Sequence, residues 1–150
     1  MKLIWSIKEF TKLSPEELYK IFHLRIEIFA VEQNCVYQDA DGKDLHSFHV
    51  MGWDDQQELM AYARVVFPSI SYKEVSIGRI VTSSKVRGTG MGKELMKKCF
   101  EFINKEYGNV PIRISAQSYL IKFYSDLGFV VQGKEYIEDH IPHIEMLKGT

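Results

Sequence analysis

Two stretches of the chain carry residues whose types and order could do chemistry. The first reads Ile80-Val81-Thr82-Ser83-Ser84-Lys85-Val86-Arg87-Gly88-Thr89-Gly90-Met91-Gly92-Lys93. An apolar, strand-like run gives way to a helical one across three alternating glycines, which leaves backbone N–H groups pointing outward at the positive end of a helix dipole. Glycine lets a phosphate approach those amides and takes the positive φ that such a turn demands. The pattern reads as an anion cradle. It is not a P-loop, because Glu94 follows Lys93 and no glycine lies five residues before Gly92. Nor is it a dinucleotide fingerprint, whose third glycine would fall where Lys93 stands and whose acidic residue is missing from Pro111–Ala116. The second stretch runs from Tyr119 to Phe129, where Leu120, Phe123, Tyr124 and Leu127 share a helical face. Taken alone, Tyr124 reads as a packed aromatic with its hydroxyl hydrogen-bonded.

The elements that would position these groups follow from periodicity. Residues 2–8 alternate as a strand, and Ser14-Pro15-Glu16-Glu17 starts a helix with a capping box and proline at its first position. Its apolar stripe Leu18, Ile21, Phe22, Ile28, Phe29 reaches about residue 31, and Arg25 interrupts it, facing inward or into a cleft. A loop follows from Asn34 to Asp44. His46–Trp53 and Glu58–Phe67 form an antiparallel hairpin, and Glu74–Thr82 is a third strand in which Gly78 marks a bulge or a close backbone approach. A helix runs from the glycine turn to about Tyr107. Pro111–Ala116 is a strand, Ser118–Leu127 a helix stopped by Gly128, and Phe129–Val131 and His143–Leu147 are the last strands. The order β α β β β α β α β β implies an α/β fold with a mixed sheet flanked by helices, in one domain over residues 1–150.

Composition narrows the partners. Nineteen Lys plus Arg against 20 Asp plus Glu leave no basic field for nucleic acid or an anionic membrane. No window approaches a bilayer-spanning length and no signal-peptide pattern opens the chain, so a cytoplasmic location is expected. Cys35 and Cys99 lie outside any metal or disulfide spacing. His46 and His49, three apart in a strand, would point to opposite faces and form no metal pair. No metal is expected.

The segment Arg87-Gly88-Thr89-Gly90-Met91-Gly92 resembles the arginine-x-x-glycine-x-glycine turn of the GNAT N-acetyltransferases, and Phe123-Tyr124 with Gly128-Phe129 resembles that superfamily's second block. Arg25 through Tyr37 with Asp41 and Asp44, Ser115-Ala116-Gln117, and Glu138 through Met146 are similar to the ElaA-like subfamily, although glycine is more usual there at the position of His140. The resemblance implies the acyl-CoA acyltransferase fold and acetyl-coenzyme A as donor. Amides of Arg87, Gly88, Thr89, Gly90, Met91, Gly92 and Lys93 would bind its pyrophosphate, Ile80, Val81 and Thr82 its pantetheine arm, and Ser118 would replace the usual asparagine. Tyr124 would protonate the departing thiolate. Direct transfer to a primary amine of a small molecule or peptide is expected. A non-catalytic coenzyme A-binding module is the alternative from another class; a longer acyl chain is another, because Arg25 through Gln33 also resembles a stretch of acyl-homoserine-lactone synthases.

An ammonium must lose a proton before it attacks, so a base is needed. Glu32, His46, His49, Asp139 and His143 are candidates, of which Glu32 and His143 are preferred. Arg25, Glu32, Gln33, Tyr37 and Asp139 are assigned to the acceptor. Seven residues separate Arg25 from Glu32, two helical turns, so they would share a face and pair, as a structural bridge or an acceptor site. A homodimer is left open.

Overall fold

The computed structural model describes residues 1–150. Strand β1 (Ile4–Glu9) leads to helix α1 (Pro15–Arg25), and β2 (Ser47–Trp53), β3 (Leu59–Val66) and β4 (Ser76–Thr82) follow. Helix α2 (Met91–Tyr107), β5 (Ile112–Gln117), the short α3 (Ile121–Ser125), β6 (Phe129–Glu138) and β7 (Ile141–Lys148) complete the chain. The ten elements come in the expected order. The capping box is present: Glu17 N–H donates to Ser14 Oγ at 3.1 Å and Ser14 N–H to Glu17 Oε1 at 2.8 Å.

The strands make two antiparallel sheets, β1-β2-β3-β4 and β5-β7-β6. They meet where β4 and β5 approach, through a single parallel bridge between Val75 and Ile112 and a 3.1 Å hydrogen bond from Arg113 N–H to the Val75 carbonyl. Beyond that bridge the two strands pair no further, so the joined sheet opens as a V. Every residue of β3 is buried, as expected for a strand covered on both faces. On one side α1 packs Ile21 and Leu24 with Ile28 against Met51, Leu59, Tyr62 and Val81; on the other, α2 adds Met91, Leu95, Met96, Cys99 and Ile103 to the larger core.

Four local departures from the sequence reading matter. The first helix is α-helical only to Arg25 and continues as a π-helix over Ile26–Glu32. His46 ends a 3-10 turn, Lys43–His46, rather than opening β2. The final hairpin is much longer than Phe129–Val131 and His143–Leu147, and the helix read over Ser118–Leu127 shortens to α3 behind a 3-10 turn at Ser118–Leu120. The bulge signalled by Gly78 is present: Tyr62 pairs with Val81 but Arg64 with Gly78, which leaves an extra residue on β4 beside a left-handed Arg79 (φ 49°).

Candidate active site

The V between β4 and β5 opens into a cavity of about 730 Å³. One wall is β4 with Ile80, Val81 and Thr82; another is β5 with Ser115 and Gln117; the π-helix and its cap contribute Ile28, Phe29, Glu32 and Gln33, and the β6–β7 hairpin contributes Glu138, Asp139, Ile141 and His143. Strand alternation explains the division on β5, where Ile114 and Ala116 are buried in the core while Ser115 and Gln117 are only partly covered.

Arg87 stands on the cavity wall and the glycine turn after it is exposed. Gly88 and Gly90 have φ of 78° and 82°, and a Cβ at either would meet nothing within 4 Å. Gly90 caps α2 with no side-chain hydrogen bond. The amides of Gly88 through Lys93 donate to no protein group, whereas Arg87 N–H is taken by the Ser84 carbonyl at 3.3 Å and Glu94 N–H by that of Gly90 at 3.2 Å. Six consecutive free donors at a helix N-terminus fit an anionic diphosphate. Met91 turns its side chain into the core, so only its amide is available. The Ser118 hydroxyl is fully buried with no partner and lies off the cavity wall.

Tyr124 lines the same cavity, 5% exposed, with its ring edge-on to Phe123 and Phe129. Its hydroxyl makes no hydrogen bond to the protein, and burial, with Tyr119 and Cys99 nearby, holds its pKa above the usual phenol value. The proton therefore stays on oxygen at neutral pH, as a donor requires.

The acceptor-side residues separate into two groups. Glu32, Gln33, Tyr37, Asp139 and His143 line the cavity. Arg25 does not. It is wholly buried, donating through Nη1 to Asp44 Oδ1 at 2.7 Å, through Nη2 to the Asp39 carbonyl at 2.9 Å, and through Nε to Asp39 Oδ1 at 3.3 Å. The expected Arg25–Glu32 pair is absent because the chain changes from α to π geometry between them, so the two-turn spacing no longer holds. Glu32 instead pairs with Arg87 at 2.7 Å across the cavity mouth, both side chains about half exposed. Its neighbour Gln33 exchanges amide hydrogen bonds with Gln117 at 3.2 and 3.4 Å. Glu32, the last residue of the π-helix, and Gln33, which caps it, thus reach both banks of the V.

Arg25 belongs to a set of three arginines and three aspartates. Arg64 donates to Asp41 Oδ2 at 2.6 Å and to Asp44 Oδ1 at 3.1 Å; Arg79 donates to Asp39 Oδ1 at 3.1 Å and Asp41 Oδ2 at 3.4 Å. Burial alone would raise the carboxyls of Asp41 and Asp44, but hydrogen bonds and charge outweigh it, from Arg64 and Arg79 at Asp41 and from Arg25 and Arg64 at Asp44, and hold both below the usual carboxylate range. Tyr37 donates to Asp39 Oδ1 at 2.6 Å beneath Arg79. His49 is buried, accepting or donating between Tyr62 Oη at 2.7 Å and the Asp44 carbonyl at 2.9 Å, and is no base for the cavity. Asp41 and Asp44 were within reach of sequence reading as part of the segment after Tyr37; Arg79 carried no signal beyond the neighbouring Gly78.

Residues 13–149 match the family model described as an acetyltransferase (GNAT) domain. The chain belongs to the GNAT acetyltransferase family. It is 42% identical over 147 residues to a UPF0039 protein of Synechocystis (98% of this chain, 96% of the relative), and 39% identical to protein ElaA of Escherichia coli (96% and 95%). Among solved structures, an acyl-CoA N-acyltransferase of Pseudomonas aeruginosa superposes with a TM-score of 0.92 at 39% identity, covering 99% of this chain and 100% of that one. The E. coli ElaA crystal structure gives 0.90 at 38%, covering 97% and 99%. A coenzyme A-dependent acyl-homoserine lactone synthase at 15% identity shares the fold, with a TM-score of 0.78. Membership of this GNAT family makes the chain a transferase that uses coenzyme A-linked acyl donors. No helix is long and apolar enough to cross a membrane.

Proposed function

We propose that this GNAT protein transfers an acetyl group from acetyl-coenzyme A to a primary amine of a small molecule or peptide, by direct attack within a ternary complex. The observation that carries the reading is the row of unengaged amides from Gly88 to Lys93, continuous with a strand whose outer edge faces the V and with the unpartnered Tyr124 hydroxyl. When bound, the donor supplies an activated thioester carbonyl. The turn holds the diphosphate, the Ile80–Thr82 edge aligns the arm, and Tyr124 gives its proton to the leaving sulfur. Of the two preferred bases His143 is favoured, because the Glu32 carboxylate is engaged by Arg87. Ser118 is a weaker donor-site candidate than the turn, since its hydroxyl is enclosed.

Thiol release from acetyl-, propionyl- and octanoyl-coenzyme A, read against a panel of primary amines, tests the assignment. Acceleration by an amine with the acetyl donor is the expected result. Binding without acceleration by any amine would favour a coenzyme A-binding module, and a preference for the octanoyl donor would favour a longer-chain transferase.

A further inference from the structure

Two acceptors of hydrogen bonds face each other on the hairpin side of the cavity. His143 Nδ1 lies 2.7 Å from the Ile141 carbonyl oxygen, which can only accept, so Nδ1 carries a proton and Nε2 is the one ring nitrogen that can offer a lone pair. That Nε2 is 3.6 Å from Glu138 Oε2, too far for a direct hydrogen bond and close enough for one donor to reach both. The ring is held by stacking on Tyr136, centroids 6.3 Å apart at 23°. Ser115 Oγ hydrogen-bonds to Tyr136 and lies 3.4 Å from Glu138 Oε1, which leaves Oε2 turned to the gap. The imidazole is 9% exposed and the carboxylate 44%, so the pair is graded from the rim inward.

The charges around this gap favour a cation. Of the carboxylates on the cavity wall, Glu32 is tied to Arg87 and Asp41 to Arg64 and Arg79. Glu138 and Asp139 have no arginine. Glu145 on β7 and Glu74 are both engaged by Arg113, and Lys43 is the one lining lysine.

We infer that Glu138 is the anchor of the acceptor's ammonium group, holding it on Oε2 with a second N–H directed at His143 Nε2. The inference rests on the acyl-transfer reading and deepens it. Glu138 is a specificity residue for an unhindered protonated primary amine, and His143 receives the proton: the N–H bond breaks, its electron pair stays on nitrogen for attack, and Nε2–H forms. A quaternary ammonium, with no N–H to share, is not held.

The test uses long-range ¹H–¹⁵N spectra of the full chain titrated with n-butylammonium chloride, then with tetramethylammonium chloride and 1-butanol. Expected are an Nδ1–H tautomer for His143 and a saturable shift of its Nε2 with n-butylammonium alone. The midpoint should move about tenfold higher in Glu138→Gln, the loss of one charge-assisted hydrogen bond, and recover in part in Glu138→Asp. In thiol-release kinetics Glu138→Gln should raise the amine KM by a like factor with the acetyl-coenzyme A KM unchanged, thermal unfolding verifying that the variant is folded. An Nε2–H tautomer, an equal response to butanol or tetramethylammonium, or an unmoved midpoint in Glu138→Gln overturns the inference. If amines accelerate thiol release while Glu138→Gln behaves as the parent, only this inference fails. If the shift is seen but no amine accelerates release, the subsite stands and the transferase reading fails.

Discussion

Replacing Arg25 with methionine separates a structural arginine from an acceptor-binding one. Three arginines and three aspartates balance in the set, of which Arg25, Arg64, Asp39 and Asp44 are buried, so losing Arg25 leaves one uncompensated negative charge there. Removing one partner of a buried pair typically costs about 3–5 kcal/mol. The lower end applies, because Asp44 keeps Arg64 at 3.1 Å and Asp39 keeps Arg79 at 3.1 Å. About 3 kcal/mol in a chain of 150 residues corresponds to a fall in Tm of roughly 6–12 °C.

The sign of the pH dependence sharpens the test. In Arg25→Met a carboxyl of the set gains a folded-state pKa above its unfolded value near 3.9, so the penalty grows as pH rises above about 4 and shrinks as pH falls. Asp44→Asn leaves the opposite imbalance, an excess guanidinium, and arginine cannot release its proton to relieve it. The Arg25→Met urea midpoint should therefore lie closer to the parent's at pH 5 than at pH 7.5, whereas the gap for Asp44→Asn should not narrow. An Arg25→Met protein with parental stability and a raised amine KM would refute the reasoning.

The remaining predictions concern the donor site and the acid limit. Gly90→Glu places a carboxylate in the cradle at a φ of 82° and should abolish coenzyme A binding in calorimetry. Tyr124→Phe should lower kcat by about 10²–10⁴, with the dissociation constant for coenzyme A unchanged. Glu32→Gln frees Arg87 at the mouth, so donor affinity should rise, and fall back with added salt, while Tm stays the same. In the parent, Asp41 and Asp44 have folded pKa values below the unfolded one, so their contribution is complete above about pH 4 and is lost below it; the urea midpoint should be level from pH 7 to 5 and then drop.

What was legible in the sequence is what local chemistry decides. Ser14 and Glu17 set the start of α1, Gly78 signalled the bulge, and the alternating glycines with the apolar run before them placed the open amides after β4. The misses come from effects beyond nearest neighbours. Nothing in Ile26–Glu32 announces a π-helix, whose hydrogen bonds such as Gln33 N–H to the Ile28 carbonyl at 3.1 Å depend on the loop and cavity they serve. Once that geometry intervenes, the partner of Arg25 is set by the fold of residues 39–44 and not by heptad spacing. The last hairpin exceeds the strands read at Phe129–Val131 and His143–Leu147 because β6 continues through an irregularity between Gln132 and Tyr136, where Gly133 takes a φ of 80°. Its tip is a two-residue turn on Asp139 and His140, with φ of 50° and 66°, where a glycine signal would be usual.

Arg79 ties the ion set to the donor strand. A left-handed arginine (φ 49°) is costly for an L-residue, and a strand edge so bulged is free to relax unless something over-determines it. Here the guanidinium is held by Asp39 and Asp41, the same carboxylates that engage Arg25 below and Arg64 on β3. The ion set therefore does more than close the loop after the π-helix. It fixes the bulge, and the bulge fixes how Ile80, Val81 and Thr82 face the V. Perturbing Arg25, which lies off the cavity wall, should for this reason loosen β4 as well as lower Tm. Amide exchange at Ile80 and Val81 should accelerate in Arg25→Met more than at the β2–β3 pairing, and uniform acceleration across both would mean that the charges stabilise the fold without positioning the donor strand.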